Sequence, residues 1–187
     1  MTTAPRLGRR IVIYGATGSG KTTLARELGA SLGLGVIELD AIRHDRGWDS
    51  TPWDEFEARI VEALASHTEG WVCDGNYSRV AATVLAEADT LIWLRLPWRV
   101  SFWRLLRRTL WRARSGEPLY NADGPRETWR GTFLSKSSIL WWSIHHHRAL
   151  QRGVRRRIDR FDTSVRVIEL RSAREVEGLL REVGVRA

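Results

Sequence analysis

Several things are scarce in this chain, and each scarcity excludes something. Cys73 is the single cysteine, so no internal disulfide can form and no cysteine cluster can bind zinc. Lys21 and Lys136 are the only lysines; arginine supplies the other 28 of the 30 basic side chains. No run of about 18 apolar residues occurs, so no segment reads as a membrane span. The opening MTTAPRLGRR is basic but has no long apolar stretch behind it, which argues against a secretory leader. There is no internal repeat and no low-complexity segment. The expectation is a reduced, cytoplasmic protein with no membrane attachment. Its 187 residues, 43% of them hydrophobic, make one domain, or one domain with a sizeable insertion.

Acidic side chains are scarce only locally. Residues 1–94 carry 13 acidic and 9 basic side chains, net −4, whereas residues 95–160 carry 4 acidic and 16 basic, net +12. Residues 161–187 balance, so the net +8 of the chain belongs to one region. Such a region suits nucleic acid, an acidic membrane surface or the phosphates of a small substrate. Arginine makes bidentate phosphate contacts. A general arginine bias is the plainer reason for the missing lysines.

Three of the 16 glycines, Gly15, Gly18 and Gly20, fall within six residues. Ile11–Tyr14 is an unbroken apolar run, as in a strand buried on both faces. Gly15, Ala16, Thr17, Gly18, Ser19, Gly20, Lys21 and Thr22 then satisfy G-x-x-x-x-G-K-[ST]. From Thr23 to Leu32 the chain reads as a helix with Leu24, Leu28 and Leu32 on one face. Glycines let successive N–H groups point into one concavity, and a helix N-terminus adds partial positive charge, so the loop is a cradle for phosphates. Residues Gly15 through Thr23 are the expected ATP contacts. Lys21 is placed for the β- and γ-phosphates and the Thr22 hydroxyl for Mg²⁺. An ordinary glycine turn is the bland alternative; the fixed positions and flanks together favour the nucleotide site.

The rest of the chain alternates. Val36–Leu39 reads as a second strand ending at Asp40, followed by a loop, AIRHDRGWDS. Thr51 and Pro52 read as the cap and first position of a helix with Trp53, Phe56, Ile60, Val61 and Leu64 on one stripe. Trp71–Asp74 is a third strand, Ser78 caps a short helix to about Ala86, and Thr90–Leu96 is a fourth strand whose Arg95 points to solvent or phosphate. Trp98–Arg114 reads as a long helix with Phe102, Leu105, Leu106, Thr109 and Leu110 on its apolar side. Gly116, Pro118, Gly124 and Pro125 mark a loop, 126–133 and 136–151 read as helices, and Val165–Leu170 as a fifth strand. Ser172–Glu175 is a capping box opening a last helix lined by Val176, Leu179, Leu180 and Val183. This alternation gives a parallel sheet covered on both faces, with Asp40 and Asp74 at the strand ends where such sheets bind ligands.

With this loop and this alternation the chain resembles the nucleoside-monophosphate-kinase group of P-loop proteins. More narrowly, in GATGSGKTTLA, LDAIRHDRGW, WVCDGNYSR, LIWLRLP and RETWRGTFLSKSSILWWSI, it is similar to the adenylate-kinase-related bacterial DNA topology modulation family. The resemblance implies an α/β, three-layer P-loop NTPase fold. Its five-stranded parallel sheet would have order 2-3-1-4-5, with helices on both faces and a basic helical lid between strands 4 and 5. It implies a single kinase-like domain, with a core of residues 8–97 and 161–187 and a lid insertion of about 98–160. Adenylate kinases carry Asp-Gly-Phe-Pro-Arg after the third strand. Here Asp74 and Gly75 match, Asn76-Tyr77-Ser78 intervenes, and Arg79 comes one place later. A nucleoside monophosphate acceptor therefore does not follow. Asp40 resembles the acceptor-contacting aspartate of small-molecule kinases, which admits a hydroxyl compound.

The candidate catalytic groups are Lys21, Asp40, Asp74, Arg108, Arg126 and Arg130. Asp74 holds Mg²⁺ through water or meets the acceptor, or else caps the next turn. Asp40 takes or fixes the acceptor's hydroxyl proton, or else caps its loop. Arg104, Arg108 and Arg112 share one helix face and Arg107 and Arg114 another. Arg107 and Arg112 are assigned to ATP phosphates beside Arg108, with Arg126 and Arg130 as a second pair. His145, His146 and His147 diverge around a helix and cannot chelate one ion. Trp141 and Trp142 pack the lid on the core or stack on a base. Cys73 reads as a small buried hydrophobe. The leading expectation is an ATP- and Mg²⁺-dependent phosphotransferase that moves the γ-phosphoryl to a small acceptor, a nucleotide or a hydroxyl compound. Its rival is an ATP-binding regulator that binds nucleic acid through the basic segment, although no DNA-reading module is present.

Overall fold

The computed structural model describes residues 7–44, 51–115, 139–160 and 165–184. Five strands form one parallel sheet: β1 (Arg10–Gly15), β2 (Gly35–Glu38), β3 (Trp71–Asp74), β4 (Thr90–Leu94) and β5 (Arg166–Leu170). Their order is β2-β3-β1-β4-β5, as the resemblance implies. The helices are α1 (Lys21–Leu32), α2 (Leu39–Arg43), α3 (Trp53–Ser66), α4 (Ala81–Glu87), α5 (Trp98–Ser115), α6 (Ile139–Arg160) and α7 (Ala173–Glu182).

The period-2 alternation of strand side chains divides the core in two. Val12, Tyr14, Ile37, Trp71, Cys73, Leu91 and Trp93 face one layer, where Phe56, Ile60 and Leu64 of α3, Val84 and Leu85 of α4 and Val154 of α6 meet them. Ile11, Ile13, Val72, Ile92 and Leu94 face the other, against Leu24 and Leu28 of α1 and Leu179 of α7. Both faces are covered, which is why β1 is apolar at every position after Arg10. Each fully buried aliphatic side chain contributes about 1.5–3 kcal/mol. The register aligns the ends that matter, with Glu38 and Ile13 both opposite Asp74, and Gly15 opposite Leu94.

Several boundaries depart from expectation, each for a local reason. Residues 39–43, expected as the end of a strand and a loop, form α2. Pro52 rather than Thr51 stands at the N-cap position of α3, and the Thr51 hydroxyl donates 3.1 Å to the Ile42 carbonyl, tying the end of α2 to the start of α3. Ser78 caps nothing, since α4 begins at Ala81 after Val80. The fourth strand stops at Leu94, and Arg95 turns out to Glu169 at 2.9 Å, toward solvent rather than phosphate. The helix expected to end at Gln151 runs on through Arg155–Arg157, because Val154 and Ile158 keep the helical period and pack on the core. Val61 and Leu110, expected on buried stripes, are exposed. The capping box of α7 forms as expected. Ser172 Oγ accepts from Glu175 N, and the Glu175 carboxylate accepts from Arg171 N. Residues 116–138, with their expected loop and helix, lie outside the described residues. Among the described residues no helix is long and apolar enough to cross a membrane.

Candidate functional site

The loop from Gly15 to Thr22 joins β1 to α1 at the carboxyl edge of the sheet. Gly18 (φ 79°) and Gly20 (φ 95°) are left-handed, a conformation that favours glycine. A Cβ on Gly18 would stand 2.3 Å from the Ser101 carbonyl, so the backbone of α5 lies directly on the loop. Ser19 N donates to the Ala16 carbonyl at 3.0 Å, while Ser19 Oγ is buried without a partner. Lys21 Nζ makes one long bond, 3.4 Å, to the same Ala16 carbonyl. Its ammonium thus folds back over its own loop. Ala16 is buried, Thr17 half-buried, and Thr23 points out to solvent.

Thr22 Oγ1 donates to Asp74 Oδ2 at 2.5 Å, joining the first turn of α1 to the end of β3. Asp74 is buried and its Oδ1 has no partner. Burial pushes its carboxyl above the usual carboxylate range; Lys21 and the Thr22 bond pull it back, and Asp40 and Glu38 add to the rise. A buried carboxylate with one orphaned oxygen, beside a hydroxyl, is the hard oxygen donor set that Mg²⁺ accepts. The residues therefore fit the ion.

Two neighbours were not singled out from the sequence. The Asn76 amide accepts from Gly15 N at 3.1 Å and donates to the Gly15 carbonyl. Arg157 of α6 donates to the Asn76 carbonyl at 3.3 Å and lies over the Tyr14 ring, 5.3 Å from its centroid. Asn76 was visible as a departure from the adenylate kinase pattern. Arg157 sat in a run of like charges that gave no sign of which member turns inward.

Across the sheet edge, Asp40 sits in the first turn of α2 and accepts from Tyr77 Oη at 2.7 Å. Trp53, Phe56 and Tyr77 form an edge-to-face cluster with centroids 5.1–6.3 Å apart. Arg43, buried, stacks 4.0 Å from the Trp53 centroid, and Arg79 approaches the same ring at 5.1 Å. Arg43 lies one helical turn beyond Asp40, but a five-residue helix is too short to announce itself by periodicity.

On α5, Arg104 reaches the loop: its Nη1 donates to the Ser19 carbonyl at 3.3 Å. Arg107 and Arg108 are exposed and Arg112 half-buried farther along. Arg126 and Arg130 lie outside the described residues. His145 and His146 are exposed on α6, burial lowers the pKa of His147, and no metal-holding cluster occurs among the described residues. Cys73 is buried, and burial pushes its thiol up.

No family model matches the chain. It is 27% identical over 132 residues to a shikimate kinase of Marinomonas sp. (strain MWYL1), a match covering 66% of this chain and 72% of that one. Among solved structures it is similar to a shikimate kinase from Acinetobacter baumannii in complex with shikimate, with TM-score 0.54 and 17% identity over 94% of this chain and 90% of that one. It is also similar to a gluconokinase from Sinorhizobium meliloti 1021, with TM-score 0.51 and 20% identity over 95% and 90%. The fold is that of the P-loop small-molecule kinases.

Proposed function

We propose that the chain is an ATP-dependent cytoplasmic kinase that transfers the γ-phosphoryl of ATP to a hydroxyl of a small acceptor. One observation carries this. The same sheet edge holds the Gly15–Thr22 loop with Lys21, Thr22 and Asp74, and beside it a carboxylate, Asp40, that accepts from Tyr77 and whose charge raises the Asp74 pKa. The loop N–H groups and the N-terminus of α1 bind the phosphates, and Lys21 leaves the Ala16 carbonyl for them. Thr22 and Asp74 would hold Mg²⁺, Asp74 through water; the ion neutralises phosphate charge when bound. Asp40 accepts the acceptor's hydroxyl proton as the new O–P bond forms and the bond to the ADP oxygen breaks. Tyr77 keeps that carboxylate in one orientation. Residues 98–160 act as the lid, with Arg104 already on the loop and Arg107, Arg108, Arg112, Arg126 and Arg130 bringing charge to the transferring group.

The similarity to a shikimate kinase, by name a small-molecule kinase, supports a hydroxyl compound over a nucleotide as acceptor. The departure at Asn76-Tyr77-Ser78 from the adenylate kinase segment points the same way. The test is phosphoryl transfer from γ-labelled ATP to a panel of hydroxy acids, sugars, polyols and nucleoside monophosphates. A labelled product among the first three classes is expected; transfer to nucleoside monophosphates alone overturns the acceptor assignment.

A second reading is an ATP-binding regulator of nucleic acid, in keeping with the resemblance to the DNA topology modulation family. It is favoured by Trp103 and Trp111, 61% and 55% exposed on α5 with Arg107 between them. Arg108→Ala separates the readings. A kinase lid predicts turnover lower by one to a few orders of magnitude, by analogy with arginine fingers. A nucleic-acid face predicts unchanged turnover and a salt slope of duplex binding reduced by about one.

A further inference from the structure

We infer that Asn76 is a positioning residue for the phosphate loop, and that Arg157 makes this positioning depend on the seat of helix α6. The inference rests on the nucleotide-binding reading above. β1 and β3 pair in parallel from Arg10–Trp71 to Ile13–Asp74. Continued by two residues, that register puts Gly15 opposite Asn76. The main-chain ladder ends before that point, at Ile13–Asp74, and Gly75 (φ 154°) follows it. No other residue fits at 75, since a Cβ would stand 2.7 Å from the Leu39 side chain. The Asn76 side chain supplies the missing rung. Its oxygen accepts from Gly15 N and its nitrogen donates to the Gly15 carbonyl, so both main-chain groups of the first loop glycine are fixed by one amide. An amide offers an acceptor and a donor at this spacing, which an ionised carboxylate does not.

The rung must itself be held. The Asn76 carbonyl, freed from the sheet, accepts from Arg157, whose guanidinium is pinned over Tyr14, the residue before Gly15. The residue after Asn76 is Tyr77, which holds Asp40. A single dipeptide thus ties the start of the phosphate cradle to the acceptor-side carboxylate, and Arg157 clamps it from the end of the basic segment. Turning Gly15 would redirect the N–H groups that follow it, so the predicted readout is nucleotide affinity and not only stability.

The experiment uses the full chain and a fluorescent ATP analogue with Mg²⁺, titrated against wild type, Asn76→Ala, Asn76→Asp, Arg157→Ala and the double variant Asn76→Ala/Arg157→Ala, with Tm recorded for each. Asn76→Ala is expected to weaken analogue binding about tenfold, the size of one lost buried hydrogen-bonded contact. Asn76→Asp keeps the shape but sets a carboxylate against the Gly15 carbonyl, and is expected to bind no better than Asn76→Ala. Arg157→Ala should weaken binding by a smaller factor, and by nothing further in the Asn76→Ala background, because its effect passes through the amide. Unchanged affinity in folded Asn76→Ala and Asn76→Asp overturns the positioning role. Fully additive losses in the double variant overturn the part assigned to Arg157. Failure of wild type itself to bind the analogue more tightly than Lys21→Ala would instead remove the nucleotide-binding reading beneath it.

Discussion

On the proposed phosphate side of the site, the groups assigned to binding are main-chain N–H groups of the glycine loop, with three side chains, Lys21, Thr22 and Asp74, added at the rim. On the proposed acceptor side they are side chains only, drawn from α2, α3 and the segment after β3, and gathered around Trp53. The first kind of site is specified by consecutive residues, because backbone curvature is local. The second is specified by packing between residues as far apart as Asp40 and Tyr77. A backbone cradle can be moved little without breaking β1, whereas a side-chain wall can change its ligand one residue at a time.

That contrast can be broken by substitution. Lys21→Ala should have the largest effect, a loss of ATP turnover of at least ~10²-fold with Tm preserved, since Lys21 has no core role and its one bond is long. Wild-type turnover in a lysine-free loop would contradict the assignment. Asp74→Asn comes next, and here activity and stability part company. Burial raises the Asp74 carboxyl above its ordinary 3.8, so the folded state prefers the neutral form. The stability contribution of such a group is complete below the unfolded value and is lost as pH rises through the folded one. At pH 7 the neutral asparagine should therefore leave Tm unchanged or raise it, while Mg²⁺-dependent turnover falls by about 10²-fold. In Mg²⁺-free protein the wild type should lose stability relative to Asp74→Asn as pH rises above the ordinary aspartate value; a stability difference that shrinks with rising pH there would refute the burial account. Tyr77→Phe sharpens the acceptor side alone, costing about tenfold or less in acceptor kcat/KM without changing ATP affinity. The smallest effect belongs to Arg155→Ala, which breaks an exposed ion pair with Asp159 and should change stability by less than ~0.5 kcal/mol in a denaturant titration.

How much of this was legible in the chain follows the same division. The sheet, its helices other than α2, and the glycine loop could be read because each is written in neighbouring residues: the apolar run Ile11–Tyr14, the spaced glycines and the Ser172–Glu175 box. Asp74 could be placed at a strand end, but not its bond to Thr22. Arg104 stood among six arginines on α5, and only the packing of Ser101 on Gly18 shows why that one meets the loop. Arg43 and Arg157 were invisible as functional residues, because a cation stacked on a distant ring leaves no local pattern. Asn76 stands out as an exception to a motif, but the Gly15 groups its amide meets follow only from the register of β1 on β3.

The central claim is that one sheet edge holds two separable half-sites, one for phosphate and one for an acceptor hydroxyl. Asp40→Asn tests it most directly, with Mg²⁺–nucleotide affinity and labelled-product formation measured on the same preparation. The account predicts nucleotide affinity within about twofold of wild type and product formation lower by at least ~10²-fold, the loss of a general base. Product formation at the wild-type rate, or affinity and product falling together, would contradict it.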